Sequence, residues 1–383
     1  MAAVARAAAF LGTLLLAALL AAGVAPPPAA RAAYPGYNGL LAFTTTRDGN
    51  DEIYVISPAG GVAQRLTDST YTDDDAVWSP DGTKIAFAKD IGQTTYKIWV
   101  MDPNGANERQ LTPIDFQGDE DSPTWSLDGA MIAFSKFAGP NGPDIWVTDT
   151  DGHNPVNLTD SPGWDRDPSW SPDGSKIAFR SERDGSAEIY VMDADGSHQK
   201  RLTNNDMFDA GPKWSADGTR IYWNAEDGYI HSIKPDGTDE TTFTSIGFAD
   251  DPAPSPDGAL IAFVGDGGTG EAGIYTVKPD GTEITRIPGT TSKDYRPDWQ
   301  PLAQPPAFVG DADCDGGADA VDALHVLRHV AGLPNTADCL ANANVKCDDG
   351  MTAVDALLIL RYVAHLSVDL PAACPAVGSI RLP

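Results

Sequence analysis

Residues 167–203 read DPSWSPDGSKIAFRSERDGSAEIYVMDADGSHQKRLT, and this stretch decides the fold. Its centre is the block WSPDG at 170–174. The block recurs as WSPDG at 78–82, WSLDG at 125–129, WSADG at 214–218 and PSPDG at 254–258, with a degenerate WQP at 299–301. Successive spacings are 47, 45, 44, 40 and 45 residues, a period that marks a repeat architecture. Each full block leads into an apolar run, as in KIAF at 84–87 and 176–179, MIAF at 131–134, RIYW at 220–223 and LIAF at 260–263. A second run follows, as in KIWVMD at 97–102 and EIYVMD at 188–193, and then a DG or NG turn. A short LT segment ends the unit at 110–112, 157–159 and 201–203.

Each piece has a physical reading. Ser-Pro-Asp-Gly is turn chemistry, because Pro presets φ and Gly accepts a positive φ. Two β-rich runs joined by such turns make hairpins. The runs are apolar on consecutive residues, as expected of sheets buried on both faces. Four short strands fit each unit, and four-stranded sheets repeated radially form a β-propeller. The ends complement each other. The first unit has LLAF at 40–43, EIYV at 52–55 and RLT at 65–67 but no Trp block. The last has Trp299 but no IAF run after it. The strand around Trp299 is therefore expected to complete the first of six blades. The Trp residues of the blocks are expected between blades, and the RDG triplets at 47–49 and 183–185 are expected to be turns.

The pattern D-x-P-x-W-S-P-D-G-x-x-I-A-F, then R-D-G, E-I-Y-V-M-D-x-D-G and L-T, resembles the TolB-type, WD40-like propeller repeat. That resemblance implies a six-bladed ring and a role in binding partner proteins of the cell envelope. A similar propeller gates prolyl oligopeptidase-type peptidases, but this chain carries no G-x-S-x-G nucleophile elbow.

The 383 residues hold 55 acidic and 26 basic side chains, a formal charge of −29. Such a surface repels phosphate backbones and argues against nucleic-acid binding. An apolar fraction of 42% argues against general disorder. Residues 1–32 read as a secretory signal peptide: Arg6, an Ala/Leu-rich run from Ala7 to Ala25, and Ala30-Arg31-Ala32 as an A-x-A-like cleavage site. The mature chain is therefore expected outside the cytoplasm, in the periplasm, at the cell surface or in the medium. No apolar stretch of spanning length follows that segment, so no membrane helix is expected.

Composition divides the remainder into a propeller at 33–301, a Pro-rich linker at 302–309 and a cysteine-containing segment at 310–383. Within the last, AVDAL-x-x-LR-x-VA-x-L repeats at an offset of 33 residues. The first copy sets Asp311, Asp313, Asp315, Asp319 and Asp322 at positions 1, 3, 5, 9 and 12 of a loop, with Gly317 offering its carbonyl at position 7. Hard oxygen ligands at this spacing wrap a calcium ion. Loop two has Asn344, Asp348, Gly350, Thr352 and Asp355 at positions 1, 5, 7, 9 and 12, but Lys346 at position 3 predicts a weaker second site. Two such loop–helix units resemble a dockerin. That resemblance implies a small α-helical module that binds calcium and docks on a cohesin-like partner. Positions 10 and 11 are Ala320 and Val321, then Ala353 and Val354, where cohesin-contacting dockerins often carry Ser or Thr. Cys314 and Cys347 both occupy loop position 4, and Cys339 and Cys374 follow at 25 and 27 residues. The matched spacing favours Cys314–Cys339 and Cys347–Cys374, one of three connectivities.

Acids recur just before the Trp blocks: Asp75, Asp121, Asp167, Asp209, Asp251 and Asp294. On a ring they are expected on one face, near the channel mouth. There they would bind a cation or a Lys/Arg-rich partner segment, or else cap backbone N–H groups where the strands begin. Two functions remain. One is a secreted, non-catalytic binding or scaffold protein, its ring a monomeric interaction surface and its tail a calcium-dependent assembly module. The other is an extracellular carbohydrate-active enzyme tethered by that tail. No catalytic residue stands out from the abundant Asp.

Overall fold

The computed structural model describes residues 36–302 apart from 93–94, 114–115 and 138–140. The calcium-loop residues and all four cysteines lie outside the described residues, as does the leader. The described chain forms six four-stranded antiparallel sheets arranged as a ring. In blade 2 the strands run outward as Asp73–Trp78, Ile85–Asp90, Tyr96–Met101 and Arg109–Gln110. The inner strands of blades 3 to 6 are Glu120–Trp125, Asp165–Trp170, Asp209–Trp214 and Ala249–Pro254. Blade 1 takes its inner strand from the far end of the chain. Asp294–Leu302 pairs with Tyr37–Thr45, from Tyr37 opposite Leu302 to Thr45 opposite Asp294. The ring is thus closed by the strand that carries Trp299.

The apolar runs are buried on both faces because each sheet stacks between two others. In blade 4, Ile177, Phe179, Tyr190 and Met192 pack with Ile145 of blade 3. Their neighbours Ala178, Ile189 and Val191 face the other way, onto Trp214, Ile221 and Trp223 of blade 5. Three of the block Trp residues tie inner strands together. The indoles of Trp125, Trp214 and Trp299 donate to the carbonyls of Val77, Ser169 and Ala253 in the preceding blade, at 3.3, 3.1 and 2.9 Å.

The remaining motif residues hold the blade edges. In each S-x-D-G turn the Ser hydroxyl donates to the Asp carboxylate, as Ser171 does to Asp173 at 2.6 Å. That carboxylate also accepts the Ser175 N–H at 3.0 Å, and these bonds hold its pKa below the usual value. The Thr of each LT segment serves the third strand. Thr203 accepts the Ile189 N–H at 2.9 Å and donates to the buried Glu188 at 2.6 Å. Thr67 repeats this on Ile53 and Glu52 at 2.9 and 2.6 Å.

Candidate functional site: the charged mouth of the central channel

Six inner strands surround the channel, and their third residues share one unusual conformation. Asp75, Ser122, Asp167, Gly211, Asp251 and Arg296 all have φ between 50° and 60°. At each, two residues of the inner strand oppose one of its partner, which makes a β-bulge. The fourth residue is Pro in five of the six strands, Pro123, Pro168, Pro212, Pro252 and Pro297. Proline is tolerated because the free edge of an inner strand faces the channel and needs no N–H there. The bulge brings all six third residues to the wall of one cavity of about 260 Å³. A second cavity of about 110 Å³ lies toward the opposite end, lined by Trp78, Trp125, Trp170, Trp214 and Trp299. Lys213 and Asp298 line both, at the waist between them.

The mouth is a mosaic of charge rather than a purely acidic ring. The Arg296 guanidinium reaches Asp75 at 2.7 Å and also contacts Asp74. Arg166 pairs with Asp121, and Arg180 Nε stands 3.5 Å from Asp167. Backbone groups join in. Asp75 accepts the Ser122 N–H and Asp251 accepts the Arg296 N–H, each at 3.0 Å and each across a blade boundary. The Ser122 hydroxyl donates to Asp167 at 3.1 Å.

These surroundings separate the carboxylates electrostatically. Burial, helped by the neighbouring Asp250, pushes Asp251 up to about 7. Burial lifts Asp121 to about 6 against the pull of Arg166, and Asp298 to about 6 against the pull of Lys213. Asp75 is also raised, by burial above all. Asp167 goes the other way: burial opposes its charge, but Arg180, Arg166 and Arg296 outweigh burial and hold it below the ordinary value.

The six acids singled out in the sequence occupy three levels. Asp75, Asp167 and Asp251 share the bulge level and line the cavity. Asp121 sits one residue earlier in its strand. Asp209 and Asp294 are first residues, essentially buried, and turn toward loops instead. Asp294 binds Arg47 at 2.7 Å, and Asp209 accepts from Asn205 at 3.1 Å. The RDG triplets do more than turn the chain, because Arg183 repeats the Arg47 contact on Asp165 at 2.8 Å.

Sequence reading missed an aromatic arc on the same face. Trp164, Phe208 and Phe248 each immediately precede the inner strand of blades 4, 5 and 6, and they are 45%, 43% and 57% exposed. Stacked sheets lie about 10 Å apart, so the three rings stand at roughly that interval along the rim. The corresponding residues of the other blades are Thr72, Asp119 and Lys293. The signal was present in the sequence, but only the strand boundaries show that the three positions are equivalent.

Comparison with known proteins agrees with this architecture. Residues 29–139 and 112–303 match the PD40 family, described as the TolB beta propeller domain. The Tol-Pal system protein TolB 1 of Novosphingobium aromaticivorans is 44% identical over 69 residues, which are 18% of this chain and 15% of that protein. The uncharacterized peptidase YuxL of Bacillus subtilis is 33% identical over 79 residues, 20% of this chain and 12% of that protein. These matches therefore span less than a sixth of either relative. Among solved structures, TolB from Acinetobacter baumannii superposes with a TM-score of 0.60 at 22% identity, over 69% of this chain and 67% of that one, a likeness of fold. The repeat blocks, the closed six-bladed ring and the family match together place this chain in the TolB β-propeller (PD40) family.

Proposed function

We propose that this chain is an exported, non-catalytic recognition protein whose ring docks a partner protein of the cell envelope on its channel-mouth face. The observation that carries this is the arc of Trp164, Phe208 and Phe248 beside the charged mouth, since three exposed aromatics at equivalent positions of adjacent blades make an apolar patch suited to a partner. Tyr37 and Leu302 pair at the opposite face. TolB relatives whose names place them in the Tol-Pal system support an extracytoplasmic protein-binding role. The segment at 310–366 then acts as a calcium-dependent assembly module for a cohesin-like or other envelope partner. Its first loop offers the all-oxygen donor set that calcium prefers, and its second, with Lys346, fits the ion less well.

Affinity capture from the host envelope tests both halves. The mature chain is compared with a Trp164→Ala/Phe208→Ala/Phe248→Ala variant and with Asp313→Ala, each with and without EDTA. A partner held in EDTA but lost with the triple variant assigns recognition to the ring. A partner lost in EDTA and with Asp313→Ala assigns it to the tail. A partner indifferent to all three changes rejects the reading.

A further inference from the structure

The cavity at the channel mouth has two walls of opposite character. Blades 4 and 5 contribute Arg166, Arg180, Lys213 and the Asn224 amide with one carboxylate, Asp167, whereas blades 6 and 1 contribute Asp250, Asp251 and Asp298 with one cation, Arg296, whose guanidinium is held by Asp74 and Asp75. Gly211 keeps the first wall open, because a Cβ at that bulge would stand 2.8 Å from Asn224 Oδ1. The cations of this wall differ in how far they are already paired. Among the described residues, no ion pair within 4.0 Å and no hydrogen bond reaches the Lys213 ammonium. Arg180, 7% exposed, is partly engaged: its Nε stands 3.5 Å from Asp167 without a hydrogen bond, and its guanidinium lies over the Phe208 ring. Across the cavity, one oxygen of Asp298 is held by the Trp78 N–H at 2.8 Å. Lys213 and Asp298 feel each other's charge but do not touch.

Opposite charges held apart across a cavity leave a field that a dipolar guest can satisfy. A simple anion would meet Lys213 and Arg180 but also the facing carboxylates. A simple cation would meet the reverse. A molecule carrying both charges a few ångströms apart matches both walls at once. The volume of about 260 Å³ lies just below the usual range for drug-sized ligands, which starts near ~300 Å³, so the guest is small.

We propose that the channel cavity binds a small zwitterion, its carboxylate on Lys213 and Arg180 and its ammonium on Asp251 and Asp298. This is the chemistry of a free amino acid or a dipeptide. The site touches the aromatic arc through Arg180, which lies over Phe208, but it does not depend on a protein partner.

Isothermal titration calorimetry on the full mature chain tests it, with L-alanine, L-glutamine and alanyl-alanine as zwitterions. N-acetyl-L-alanine amide, acetate and methylammonium serve as blocked or singly charged probes. The expected result is that at least one zwitterion binds about tenfold or more tighter than every other probe class. Lys213→Met and Asp251→Asn should each weaken it by about tenfold. Alanine against alanyl-alanine distinguishes an amino acid from a short peptide. The proposal is overturned by no binding of any zwitterion up to ~10 mM, a Kd beyond any useful affinity. Equal binding of the blocked analogue, or unchanged binding by both variants shown to be folded by circular dichroism, also overturns it. Should a variant not fold, the comparison of probes on the unaltered chain decides alone.

Discussion

Thr203 shows what one side chain does in this ring. It lies fully inside, between a backbone N–H that has no strand partner and a buried carboxylate that Arg201 and the Asn205 N–H also serve. Thr203→Val keeps the shape and removes both bonds, leaving two buried polar groups short. The expected cost is roughly 1–3 kcal/mol, read as a lower urea midpoint, whereas Thr203→Ser should recover most of it. The LT pair was visible as a motif, but its reason was not. Thr203 meets Ile189 and Glu188 only after the chain has gone out and back across one turn of the blade. The same holds for Arg47 and Arg183. Their triplets look like turns in the sequence, and their guanidinium contacts exist only because a hairpin end overhangs the start of an inner strand.

At the scale of the element, turns and bulges set what each blade can tolerate. Gly129 and Gly152 both have positive φ, 68° and 77°. Around a Cβ at Gly129 there is open space, but a Cβ at Gly152 would sit 1.9 Å from the Leu111 carbonyl oxygen in the preceding blade. Gly129→Ala should therefore cost only the left-handed backbone penalty, roughly 1–2 kcal/mol. Gly152→Ala adds a clash with main chain that cannot swing aside. Thermal melts should rank wild type above Gly129→Ala and Gly129→Ala above Gly152→Ala. The strands and turns were legible because each blade repeats the same turn chemistry and apolar runs. The bulge was not, since Asp, Ser, Gly and Arg at one strand position share no composition signal. Their common feature is a backbone angle imposed by the pairing of the inner strand.

For the whole ring, pH is the informative variable. Asp73, Asp121 and Asp298 are pushed up to about 6 and Asp251 to about 7, chiefly by burial. A carboxyl whose folded pKa exceeds its unfolded value of about 3.9 binds protons more tightly in the folded state. It therefore contributes stability that is fully present below that unfolded value and is lost as pH rises through 6 to 7. The turn aspartates Asp128, Asp173 and Asp217 are lowered, so their contribution is present above about 3.9 and lost as pH falls further. The melting temperature should consequently rise as pH is lowered from 7.5 toward about 5 and fall again in stronger acid. Asp251→Asn should flatten the neutral limb while sparing the acid one. A melting temperature that climbs steadily up to neutrality would contradict these burial effects.

By itself the sequence determined the repeat, the number of blades, the closing role of the Trp299 strand and membership of a propeller class. These follow from local turn chemistry and apolar runs recurring at a near-constant period, which any one unit displays. Only the tertiary structure decided which acids meet. Asp75, Asp167 and Asp251 line one cavity with Arg296 and Lys213, while Asp209 and Asp294 turn away into loops. That sorting depends on a bulge, on closure of the ring and on neighbours roughly 45 residues distant in the chain, a distance over which sequence carries no geometry until the blades have packed.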